Sequence, residues 1–206
     1  MMKKSKNTFL TINHRDFFPL FEGLDILINF SIITYLSNFL FPDLDLRLSI
    51  ILTSSILFIS FFSKFSSLFF LKRFEIFFSK VIQKSDLFLV GLYLIAILLP
   101  QVNNYFNFQV LVLIFTRFSI GIIYSLSNHV FLRNLQDKTF SLNHQIKFWV
   151  FFIFGMILGS ILFSILNEIF SNEDLNNWAW KVSYAFLIFC ILIKYIFRIP
   201  TRAVQS

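Results

Sequence analysis

The chain has 206 residues, of which 57% are hydrophobic and only 14% charged, with a mean hydropathy of +0.75. A soluble domain is near half apolar and about a quarter charged, so this composition excludes a disordered chain, a nucleic-acid-binding domain and an ordinary water-soluble enzyme. The formal charge of +7 reads as the positive-inside signature of membrane loops, because its cations are segregated along the chain. A lone Cys190, with no C-x-x-C, excludes a disulfide or zinc framework.

A spanning helix needs about 20 apolar residues. Lys3, Lys4 and Lys6 open the chain, but no small-residue cleavage site follows the first apolar run. That run is therefore expected to remain as a spanning helix and not to act as a removable signal. Residues 1–16 form a tail, a six-helix domain covers 17–199, and 200–206 form a second tail. The six expected spans lie roughly at 17–41, 48–71, 87–102, 106–126, 148–169 and 179–197. The third is short and closes at Pro100. The fold class is all-α, a polytopic membrane protein.

Threading the chain through these spans places Lys3, Lys4, Lys6, Arg15, Lys72, Arg73, Lys80, Lys84, Arg133, Lys138, Lys147, Lys194, Arg198 and Arg202 on one side. The other side receives only Arg47 and Lys181, with five acids. This asymmetry predicts that both termini are cytoplasmic.

Four ionisable residues fall inside the expected spans: Glu22, Asp25, Lys64 and Arg117. Each costs about 2.5–3.5 kcal/mol at a helix centre, against a gain of about 0.3–0.6 kcal/mol for a Leu or Phe. Their retention points to a polar interior. Glu22 and Asp25 are spaced i, i+3 and share a helix face. Two close carboxylates in a poorly hydrated cavity repel one another, which is the chemistry of a proton carrier. Arg117 keeps its charge and needs a carboxylate or a wet cavity. It is expected to pair with the acids of the first span, to anchor a substrate carboxylate, or to form a packing ion pair. Lys64 is expected to snorkel toward Lys72.

Gly155 and Gly159 form a G-x-x-x-G, a spacing that lets helices approach closely. His14, His129 and His144 have no metal-ligand spacing, and no hydrolase, Walker or dinucleotide motif is present. No cofactor, metal or enzymatic activity is expected.

In order, these pieces resemble the amino-terminal half of a major facilitator superfamily transporter of the metabolite:proton symporter group, which includes proline/betaine and dicarboxylate permeases. The resemblance rests on Glu22-Gly23-Leu24-Asp25 followed by Phe41-Pro42, on Leu98-Leu99-Pro100, on Arg117 and Gly121 of an R-x-x-Q-G pattern, and on Trp178-Ala179-Trp180-Lys181. It covers roughly residues 17–200. The group's G-x-x-x-D-R-x-G-R-K loop falls on residues 72–81, where the glycines are absent, Ile76 replaces the acid, and Lys80 keeps an expected charge. The resemblance implies a six-helix half-carrier in the plasma (inner) membrane. Lys72, Arg73 and Lys80 would sit in the cytoplasmic gating loop, and Glu22, Asp25 and Arg117 on the proton and substrate pathway. Gly121, Gly155 and Gly159 would pack helices. The partners implied are the lipid bilayer, protons, a small organic solute such as an osmolyte or carboxylate, and a second six-helix half or a second copy. The alternative expectation is a non-transporting remnant of a truncated transporter gene.

Overall fold

A computed structural model describes residues 17–71, 84–99, 106–136 and 142–203. Every regular element among them is helical. The helices are α1 (Phe18–Leu40), α2 (Leu46–Leu71), α3 (Ser85–Ile97), α4 (Phe106–Gln136), α5 (Leu142–Ile169) and α6 (Trp180–Ala203). A helical turn at Asn172–Asp174 and a π-helical turn at Leu175–Ala179 lead into α6.

Local chemistry sets the boundaries that the structure describes. Pro19 stands in the first turn of α1, where its missing N–H removes no helical bond. Asp45 precedes α2 and accepts the backbone N–H of Arg47 on Oδ2 at 3.1 Å. Ser171 and Asp174 form a reciprocal capping box, with the Asp174 N–H donating to Ser171 Oγ at 3.2 Å.

Five helical stretches are long and apolar enough to cross a membrane: Phe18–Leu40, Leu46–Ser67, Phe108–Ser127, Ile146–Ile169 and Asn172–Ile196. The expected third span is different. Over the described residues α3 has 13 residues, a rise of about 20 Å against a hydrocarbon core of about 30 Å. The residue before a proline is pushed out of the α region, so Leu99 leaves the helix ahead of Pro100. Apolar side chains cover the outside of the bundle. Ile146, Trp149, Ile153, Ile157, Ile161, Ile165 and Ile169 form one exposed stripe on α5, and Phe58, Phe62 and Phe65 form another on α2. Outward stripes of this kind suit contact with lipid, and together with the five apolar helices they are compatible with a multi-pass membrane protein.

α1 is the most buried of the five apolar stretches and α5 the least. Three pairings dominate the packing: α1 with α5, α2 with α4, and α3 with α6. α1 also touches α2, α4 and α6, and α3 touches α4. Exchanging the first three helices for the last three maps the dominant pairs onto one another.

Glycines set the closest crossings. A Cβ on Gly23 would collide with the Phe152 carbonyl, and one on Gly155 with the Leu20 carbonyl. The α1–α5 crossing is thus a backbone-to-backbone contact made from both sides. Gly159 meets the side chain of Leu27, with Leu27 Cβ 3.1 Å from an added Cβ. Gly121 of α4 plays the same part against Ser60 and Ser63 of α2. Those serines turn their hydroxyls back onto their own helix: Ser60 Oγ donates to Leu57 O at 3.0 Å and Ser63 Oγ to Ser60 O at 2.9 Å. They therefore present a small surface with no unmet donor.

Candidate functional site

The buried centre of the bundle is polar. Asp25 lies two turns into α1, and its Oδ1 accepts two donors: Arg117 Nη1 from α4 at 3.0 Å, and Asn29 Nδ2 from the next turn of α1 at 2.9 Å. Asn29 Nδ2 also reaches the Asp25 carbonyl at 2.6 Å. Tyr184 of α6 closes the ring. Its hydroxyl accepts from Arg117 Nη2 and donates to Asn29 Oδ1 at 2.7 Å. The guanidinium also lies over the Tyr184 ring, 5.2 Å from its centroid. Tyr93 of α3 stacks on Tyr184 at 5.8 Å, and its hydroxyl is 3.3 Å from that of Tyr124. Tyr124 in turn donates to the Phe21 carbonyl at 3.3 Å. Side chains from α1, α3, α4 and α6 thus converge on one charge pair that is almost wholly withdrawn from solvent. Arg117 is 1% exposed and its Nε has no acceptor among the described residues.

Two more ion pairs flank this centre. Lys64 Nζ of α2 is 2.5 Å from Glu22 Oε1 and lies over the rings of Phe61 and Tyr124, at 5.0 and 5.4 Å. The expectation that Lys64 snorkels outward is therefore corrected. Glu22 lies across the α1–α2 contact and neutralises it within the bundle, where the alternative is an unpaired charge in a medium that solvates it poorly. Lys194 of α6 is 2.7 Å from Asp86 Oδ1 of α3 and stands 3.3 Å from the Phe18 ring centroid. Sequence reasoning placed Lys194 with the loop cations, yet it is 7% exposed. Lys181, also expected among loop cations, donates to the Leu99 carbonyl at 2.9 Å, beside the end of α3.

The two acids of the first span are thus brought together with different cations. Arg117 meets Asp25, while Glu22 meets Lys64. Lys72, Arg73 and Lys80 lie outside the described residues, as do both expected tails up to residue 16 and from residue 204. Among the described residues no three of His, Cys, Asp and Glu cluster as metal ligands would.

Sequence reasoning missed Asn29, Tyr184, Tyr93, Tyr124 and the Asp86–Lys194 pair. Asn29 was within reach, since it extends the Glu22–Asp25 face by a further i+4 step. Tyr184 had no such signal, because one tyrosine in an aromatic-rich span carries no mark of its polar partner.

Beside Asp25 a groove of about 80 Å³ opens between α1 and α2. Asp25, Ile26, Asn29, Phe30 and Ile33 line it from α1, and Ser54, Leu57, Phe58, Ser60 and Phe61 line it from α2.

Compared with family models, with curated proteins and with solved structures, the chain matches none.

Proposed function

We propose that this chain is a membrane carrier unit that moves a small organic solute together with protons across the plasma (inner) membrane. In this reading it crosses six times with both termini cytoplasmic. It works as one six-helix half beside a second half or a second copy, like the major facilitator transporters whose motifs it resembles. One observation carries the proposal. A closed ring of Asp25, Asn29, Arg117 and Tyr184 is buried within an apolar bundle, and two of its members, Asp25 and Asn29, line a groove. Ionisable groups at such depth are expensive and mark solute and proton pathways.

The packing adds support. Transporters of this superfamily are built from repeats of three helices in inverted topology, and the exchange of α1–α3 for α4–α6 preserves the dominant helix pairs. In the proposed cycle Glu22 and Asp25 accept and release protons, and Arg117 sets the balance at Asp25 by standing on or off its Oδ1. Because Arg117 is enclosed by Asp25 and Tyr184, it acts on the acid and does not hold a substrate carboxylate directly.

The second reading is a non-transporting membrane protein. The observation that favours it is that Glu22, Asp25 and Asp86 each meet a cation inside the bundle, which is also what a static assembly requires.

Uptake into proteoliposomes under an imposed pH gradient separates the two. The carrier reading expects accumulation that collapses with the gradient and is lost in Arg117→Met. Absence of gradient-driven uptake by the chain alone, by its dimer and with a six-helix partner would leave the static reading standing.

A further inference from the structure

Among the described residues two ammonium groups are paired with carboxylates inside the bundle, and both are held in the same way. Lys64 Nζ rests on the Glu22 carboxylate with the faces of Phe61 and Tyr124 beneath it. Lys194 Nζ rests on the Asp86 carboxylate with the faces of Phe18 and Phe21 at 3.3 and 5.5 Å. In each case a carboxylate oxygen meets the ammonium and two aromatic rings lie close to it.

The groove repeats these ingredients without an ammonium of its own. Asp25 lines it at one end, and Phe30, Phe58 and Phe61 line it with Ser54 and Ser60. Both donors that reach the Asp25 carboxylate fall on Oδ1, from Arg117 and Asn29. No donor among the described residues reaches Oδ2, so that oxygen remains an acceptor for the groove. Phe30 is 63% exposed, and Phe58, although its ring packs against Phe61 at 5.4 Å between centroids, is still 66% exposed. Among the described residues no cationic side chain lines the groove, and the Arg117 guanidinium is 1% exposed in the core. A carboxylate-bearing solute would find no counter-charge here and would meet Asp25 as a like charge.

We propose that the α1–α2 groove binds an organic ammonium, with its charge on Asp25 Oδ2 and its carbon substituents against Phe30, Phe58 and Phe61. The solute of the carrier is then a cation with no carboxylate of its own. Naming it as a solute rests on the carrier reading above, whereas the binding site does not. The cycle proposed above narrows accordingly: Asp25 takes the ammonium, and of the two acids only Glu22, beside Lys64, is left to carry the proton.

The test is calorimetric titration of the intact chain in a maltoside detergent, with tetramethylammonium chloride as the probe and sodium chloride and sodium succinate as matched controls. Binding of the ammonium alone is expected. Phe58→Ala and Phe30→Ala should each weaken it about 5-fold, as loss of one ring face does. Phe62→Ala, equally exposed on α2 but outside the groove, should leave it unchanged. Asp25→Asn should abolish it. Because that variant also strips Arg117 of its counter-charge, the phenylalanine variants decide the matter if it fails to fold. Succinate binding as tightly as the ammonium, or full binding in both groove variants, would overturn the proposal. A repeat in nanodiscs locates the source of the ammonium. Competition by phosphatidylethanolamine but not phosphatidylglycerol assigns the site to a lipid headgroup, and equal binding in both assigns it to a free solute. Uptake is measured separately, so a chain that binds ammonium without transporting it refutes the carrier and keeps the site.

Discussion

The Asp25–Arg117 pair offers the sharpest test of the buried centre. Asp25→Leu leaves a guanidinium 1% exposed, with the Tyr184 hydroxyl as its remaining acceptor and Nε without one among the described residues. Breaking a buried pair from one side costs about 3–5 kcal/mol, because the surviving charge has no compensation. Arg117→Met should cost a similar amount for the same reason. The double variant Asp25→Leu with Arg117→Met removes both charges together. Asn29 Nδ2 then keeps the carbonyl of residue 25, and Tyr184 still donates to Asn29 Oδ1, so neither polar neighbour is orphaned. A double-mutant cycle should therefore return a coupling of at least about 3 kcal/mol, with the double variant more stable than either single one. Reversible unfolding of the protein in lipid nanodiscs, followed by steric trapping, measures all four corners. Additivity within about 0.5 kcal/mol would refute the claim that these groups compensate each other. The same double variant separates stability from function. A stable protein with no uptake assigns the pair to transport, and unchanged uptake assigns it to packing.

Three further outcomes are expected. Gly155→Leu should push α1 from α5, since even a Cβ meets the Leu20 carbonyl, and overpacking of this kind costs about 1–3 kcal/mol; thermal denaturation of the purified protein reads it. Tyr184→Phe removes the hydroxyl that accepts from Arg117 and donates to Asn29, and should destabilise by about 1–3 kcal/mol in the same assay while leaving helix content by circular dichroism unchanged. Glu22→Lys and Lys64→Glu should each lower expression in membranes, and combining them should restore it, because the swap regenerates an ion pair across α1 and α2.

Hydrophobic length was enough to place most of the helices. α1 and α2 announce themselves as long apolar runs, and the helix over 106–136 begins where the apolar run begins. α3 shows the limit of that signal, since the expected span runs to 102 whereas the described helix ends at Ile97, three residues before Pro100. The charges behaved in the same way. Arg117 in mid-span demanded a partner, and Asp25 stood on the right helix face to be one. Lys64 and Lys194 lie closer to span ends, where a sequence offers headgroups as an equally cheap solution. Only the pairing of α1 with α2 and of α3 with α6 shows that carboxylates reach them first. The glycine signal was also half visible. Gly155 and Gly159 stood out by spacing, whereas Gly23, which opens the other side of the same crossing, sits alone in its helix.

The helix pairing has a consequence for biogenesis. Neighbours in the chain are not the main neighbours in space, so the ribosome delivers α1, α2 and α3 before their main companions α5, α4 and α6 exist. Asp25 and Arg117 are separated by 92 residues, and Asp86 and Lys194 by 108. At about 5–20 residues per second, Asp25 waits about 5–20 s for its guanidinium. During that interval the nascent chain exposes bare carboxylates, which places its greatest vulnerability to quality-control proteases before the fourth helix has emerged.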